Sequence, residues 1–129
     1  KKYDFVIDGS DNFETKFLIN DFCKKFKKFL VTGAISKFDG HIFTFNFKKI
    51  ETPCIRNFFQ EEEVFENTLD CEYEGVLGTV AGIVGIFQAN EILKKILSIG
   101  KDLSGYILIL DLLNLNFRKV KLNKFKNAF

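Results

Sequence analysis

An apolar run that breaks into a turn of small and acidic residues and then resumes at helical spacing narrows the choice of fold more than any other feature of this chain. In YDFVIDGSDNFETKFLINDFCKKF, residues 3–7 have strand character and Asp8, Gly9, Ser10, Asp11 and Asn12 interrupt them. Phe13, Phe17, Leu18, Phe22 and Phe26 then recur about one helical turn apart, which predicts an amphipathic helix over about 13–27 with its lysines outward. Strand, tight turn and helix make half of a βαβ unit. Phe29, Leu30, Val31 and Thr32 supply the next strand, expected to run parallel to the first through a right-handed crossover.

The rest of the chain continues in alternating elements. HIFTFNF sets Ile42, Thr44 and Asn46 against Phe43, Phe45 and Phe47, the period of a strand with two different faces. Over 48–74 the regularity fails around Pro53 and the acidic run Glu61, Glu62 and Glu63, so a long surface loop is expected, of a length that is usually functional or disordered. A helix is predicted over about 76–98, stopped by Gly100, with Gly78, Gly82 and Gly85 letting another element approach closely. YILILDL and NFRKVKL read as a closing hairpin turning around Leu113 and Asn114. No repeat or linker divides the chain, and its class is α/β.

Composition sets outer bounds. With 129 residues, 47% hydrophobic and 28% charged, the chain suits one soluble globular domain with a real core. A net charge of +2 from 19 basic and 17 acidic residues makes no strong field, so neither nucleic acid nor an anionic membrane is an expected partner. The apolar run 76–87 is too short to span a bilayer and reads as a buried helix. Three cysteines without a repeated spacing, and no signal-peptide pattern, point to a reducing cytoplasm. The absence of Met, and a start almost directly on a strand, suggest a fragment of a longer protein.

Several residues could carry chemistry. Asp11 followed by Glu14 suits a capping box, with Asp11 accepting from first-turn amides. The same position also suits a site: a helix N-terminus at the carboxyl end of a parallel strand favours a phosphate. A carboxylate beside that phosphate is repulsive unless a hard cation lies between them, so Asp11 would ligate Mg²⁺. Cys71, just before the glycine-bearing helix, is either a small apolar residue or a nucleophile whose thiol the helix start activates. Cys54 would belong to a zinc pair only if Asn57 were cysteine, so zinc is not expected. His41 is expected at a rim and Cys23 in the core.

Taken in order, these pieces resemble the ThiF/MoeB/HesA family, the ubiquitin-activating-enzyme-like adenylyltransferases. DGSDNFETKFLIND resembles the family's Asp-x-Thr/Ser-Asp-Asn segment and the helix after it, and VTGAISKFDGHIFTFN the next two strands. PCIRNFF resembles the start of its crossover, CEYEGVLGTVAGIVGIFQANEILKKIL its later helix, and SGYILILDLLNLNFRKVKL its closing hairpin. The resemblance implies a Rossmann-like fold, here its C-terminal portion over residues 1–129: a mixed sheet with closing antiparallel strands. It further implies an enzyme that uses ATP and Mg²⁺ to adenylate the C-terminal carboxylate of a ubiquitin-like sulfur-carrier protein, for thiamine or molybdopterin biosynthesis, as a homodimer when complete. Asp11 and Asn12 match the family's nucleotide and Mg²⁺ contacts, and Cys71 matches the cysteine with which some members link covalently to the carrier. The family's glycine-rich loop, acidic ribose contact and phosphate-holding Arg and Lys residues precede this segment, which alone is therefore expected to be inactive. The rival expectation is a non-catalytic module that keeps a carrier-binding or dimerisation surface.

Overall fold

A computed structural model describes residues 2–59 and 75–123. Five strands form one sheet in the order β1 (Phe5–Asp8), β2 (Phe29–Ser36), β3 (Asp39–Asn46), β4 (Tyr106–Asp111) and β5 (Asn116–Lys121). β1 pairs parallel with β2, whereas each later neighbour is antiparallel. Helix α1 (Phe13–Lys25) connects the parallel pair, completing the βαβ unit. Helix α2 (Gly78–Leu97) precedes the β4–β5 hairpin. A mixed sheet closed by antiparallel strands is thus what the alternating pattern and the family resemblance led one to expect.

The sheet is covered on both faces over β2–β4, whereas every residue of β5 is exposed. Phe17 and Cys23 of α1 pack with Leu30, Phe43, Phe45, Phe47 and Ile107 on one side. Val80, Val84 and Ile92 of α2 pack with Phe29, Val31, Ile42 and Leu110 on the other. The alternation in HIFTFNF therefore separates two buried layers rather than core from solvent, and Thr44 and Asn46 are buried too. His41, near the head of β3, pairs with Ala34 and Ile109 within the sheet and is half-buried. Burial lowers its pKa, partly offset by the charge of Asp39.

Several local expectations also change. Leu18, Phe22 and Phe26 stay largely exposed, and Lys16 turns inward, so the buried stripe of α1 is Lys16, Phe17, Asn20 and Cys23. A buried partner for Lys16 at the end of β1 explains that rotation. The cap of α1 is Asn12, not Asp11: Asn12 Oδ1 accepts from the Thr15 amide at 2.8 Å. Glu14 accordingly falls one place short of the capping-box position. Helix α2 stops at Ser98, which takes the left-handed conformation at φ 53°, two residues before Gly100.

The close approach expected at Gly78, Gly82 and Gly85 occurs elsewhere. Nothing described lies within 4 Å of a side chain added at those positions. The helix instead leans on strand glycines: a Cβ on Gly33 would stand 2.8 Å from Gln88 Oε1 and from Val84 Cγ1, and one on Gly40 would stand 2.5 Å from Val84 Cγ2. Gly33→Ala is expected to cost about 1–3 kcal/mol by overpacking, read as a lower urea midpoint with an unchanged slope. An unchanged midpoint would mean that α2 can lift from the sheet freely.

Candidate functional site

The carboxyl end of β1 is built around a buried charge. Asp8, 1% exposed, turns its carboxylate inward. Its Oδ1 accepts from the Ser10 amide at 2.8 Å and from Ser10 Oγ at 2.6 Å, a local turn that reverses the chain. Its Oδ2 accepts from Lys16 Nζ at 3.1 Å and from Thr32 Oγ1. Lys16, 4% exposed, also donates to the carbonyl of Gly33. From the other face of the sheet, Gln88 Nε2 donates to the carbonyls of Asp8 at 2.8 Å and Val31 at 3.2 Å. One network therefore ties β1, α1, β2 and α2 at the point where the turn departs.

Burial by itself would push the Asp8 carboxyl up, but hydrogen bonds from Ser10 and Thr32 and the Lys16 charge outweigh it and hold Asp8 below 3.8. Burial lowers Lys16, opposed by the charge and hydrogen bond of Asp8. Asp21 is lowered as well, chiefly by its hydrogen bonds from Arg56. A carboxyl depressed on folding stabilises the fold above its unfolded pKa, and that contribution is lost as the pH falls through the lower folded value. The depression of Lys16 acts at the alkaline end and leaves the acid limb to the carboxylates. Thermal midpoints should accordingly fall as the pH drops below 3.8, and Asp8→Asn should flatten that slope. An acid limb of equal slope in the variant would remove Asp8 from the account.

The turn delivers Asp11 and Asn12 to solvent immediately before the first turn of α1. Asn12 Nδ2 donates to Asp11 Oδ1 at 3.1 Å, and Asp11 Oδ2 has no hydrogen-bond partner among the described residues. An exposed carboxylate with a free oxygen beside unpaired helix amides suits a hard cation that also holds phosphate oxygens. The residues thus fit a Mg²⁺-nucleotide contact. Among the described residues no three His, Cys, Asp or Glu side chains gather as a metal cluster.

The same end of the sheet carries a second helix start. Val76 bridges to Lys37 just past the end of β2, and α2 begins two residues later. Lys37, Phe38, Gly75, Val76 and Leu77 line a cavity of about 430 Å³ there. It lies against the turn that joins β2 to the antiparallel β3. Cys71, the expected nucleophile, lies outside the described residues. Cys23 is buried on α1, and burial pushes its thiol up to about 11, which leaves it inert at neutral pH. Cys54 is buried beside the short 3-10 turn Ile55–Asn57, where its amide donates to Asn57 Oδ1 at 2.8 Å. No described helix is long and apolar enough to cross a membrane.

Sequence reasoning placed Asp11 and Asn12 at the turn but passed over Asp8, Lys16, Thr32 and Gln88, which hold it. A signal existed: Lys16 stands next to Phe17 and in helical register with Phe13 and Asn20, a charge on the stripe that points inward.

The model of the ThiF family matches residues 1–128. The chain is 42% identical over 123 residues to a "Probable molybdopterin-synthase adenylyltransferase" of Pyropia yezoensis, covering 95% of this chain and 32% of that protein. It is 38% identical over 127 residues to a "Sulfur carrier protein adenylyltransferase" of Thermus thermophilus, covering 96% of this chain and 47% of that protein. The chain therefore spans about a third to a half of the length of these relatives. A crystal structure of E. coli MccB with ATP superposes at a TM-score of 0.75 with 12% identity, over 97% of this chain and 38% of that chain, a likeness of fold. On the match of the family model to nearly every residue, together with the parallel strand, turn and helix that carry Asp11 and Asn12, this chain belongs to the ThiF family.

Proposed function

We propose that this chain is the C-terminal part of an adenylyltransferase that activates the C-terminal carboxylate of a ubiquitin-like sulfur-carrier protein. The observation that carries the reading is 42% identity across 95% of the chain to a protein named as a molybdopterin-synthase adenylyltransferase. Molybdopterin-type sulfur transfer is accordingly the favoured pathway, ahead of thiamine. A carrier carboxylate oxygen attacks the α-phosphorus of ATP, the bond from that phosphorus to the bridging oxygen breaks, and pyrophosphate leaves with the electron pair. Mg²⁺, when bound, neutralises phosphate charge. Asp11 would hold it through its carboxylate, and Asn12, the cap of α1, would order the helix start toward the nucleotide. An upstream segment with a glycine-rich loop and cationic side chains completes the site, and Cys71 forms the covalent sulfur-linked intermediate with the carrier.

A homodimer fits the outward face of α2. Gly82, Gly85, Ile86, Leu93, Ile96 and Leu97 form an exposed, uncharged stripe along it. A stripe of that kind needs cover.

The test is carrier-dependent exchange of pyrophosphate into ATP. The full-length protein should exchange, and residues 1–129 alone should not. Exchange by the short form would overturn the need for the upstream segment, and none by the long form with a sulfur carrier would overturn the activity. Cys71→Ala should retain exchange while losing the covalent carrier adduct. An adduct that persists in that variant would remove Cys71 from the chemistry.

A further inference from the structure

We propose that the buried Asp8–Lys16 pair, with Thr32, is a positioning device for the Asp11–Asn12 turn, so that Mg²⁺-dependent nucleotide binding depends on three residues that touch neither metal nor nucleotide. The inference rests on the proposed function and deepens it.

Residues 9–12 are strung between two anchored points. Upstream, the Asp8 side chain is held by Lys16, Thr32 and both polar groups of Ser10, while Gln88 grips its carbonyl. Downstream, Lys16 lies on the buried stripe of α1 and reaches both Asp8 and the Gly33 carbonyl, which fixes the rotation of the helix about its axis. Asp11 is three residues from one anchor and five from the other. Chain of that length spans at most about 10 to 18 Å, so a shift in either anchor passes directly to the carboxylate.

A buried ion pair is also a poor device for stability alone, because well-packed apolar side chains of similar volume commonly serve as well or better. What such a pair supplies is a directed arrangement. Here it lies at the one strand end that leads into the proposed site. Groups that orient a metal ligand without touching the metal typically matter 10–100-fold in affinity.

The variant that separates positioning from mere stability is Asp8→Asn with Lys16→Met, which removes both charges and leaves neither buried alone. Isothermal titration of the full-length protein with ATP, once with Mg²⁺ and once with EDTA, gives the gain in affinity that Mg²⁺ confers. Alongside it, thermal melts report the fold. The double variant is expected to recover most of the melting midpoint that Lys16→Met loses and to keep its metal-free ATP affinity, while losing about 10-fold of the Mg²⁺-dependent gain. Thr32→Val, nearly isosteric and free of any charge change, is expected to lose part of that gain in the same direction and reads the role even where the double variant melts early. A gain within twofold of the unmodified protein in both variants overturns the positioning role. Should the unmodified protein show no ATP binding, the proposed function falls and this inference with it. Should it show the Mg²⁺-dependent gain and both variants retain it, only the positioning role falls.

Discussion

In the full-length protein, Asp11→Ala is expected to lower Mg²⁺-dependent pyrophosphate exchange by about 100-fold or more, the scale on which loss of one charge-stabilising contact is felt. The fold should not register the change. Asp11 is exposed, its one described hydrogen bond comes from Asn12 Nδ2, and the cap of α1 is made by Asn12. Removing the carboxylate therefore leaves the helix start intact, and surface changes of this kind move stability by no more than about 0.5 kcal/mol. What is lost is the negative oxygen that, with the phosphates, would hold the cation. Without it, the cation keeps only the nucleotide's own oxygens and water. Exchange rate against Mg²⁺ concentration, with a melting curve on the same sample, gives the answer. Exchange within threefold of the unmodified protein would end the metal role of Asp11.

Lys16→Met should give the opposite pairing, a large loss of stability whatever the ligand. Methionine is close to lysine in length and shape, so little packing volume is lost at this buried position. The ammonium is gone, and the Asp8 carboxylate stays 1% exposed with no counter-charge. Breaking one side of a buried pair costs about 3–5 kcal/mol, because the remaining charge cannot recover its hydration. Against a total of about 5–15 kcal/mol for a domain, that is a severe loss. Urea unfolding measures it directly. A cost below about 1 kcal/mol would show that water reaches Asp8 and that the pair is not sealed. Adding Asp8→Asn to Lys16→Met should recover most of the loss, since no lone charge then remains.

Much of the fold was legible in the order of residues because periodicity reports burial. The run at 3–7, the turn at 8–12 and the helical spacing after it located β1, α1 and β2 in their observed order, and the parallel pairing followed. YILILDL and NFRKVKL marked the closing hairpin for the same reason. Which face of a helix points inward was less legible. On α1 the phenylalanines suggested a stripe through Leu18, Phe22 and Phe26, yet these stay exposed because an ionic partner at Asp8 draws Lys16 inward. The glycines of α2 suggested close packing, yet the contact falls on Gly33 and Gly40 of the strands, where Val84 and Gln88 come down on the sheet.

By itself, the sequence determined the class, the order of the elements, the family and the position of Asp11 and Asn12 at a strand-to-helix turn. All of these are local in the chain or carried by motifs in series. Only the tertiary structure decided that Asn12 is the cap, that Asp8 and Lys16 are buried together, and that Thr32 and Gln88 complete their network. Thr32 lies 24 residues from Asp8 and Gln88 lies 80, and no local period encodes a contact made across a sheet. The physical reason is that a buried charge must find its partners wherever the fold brings them.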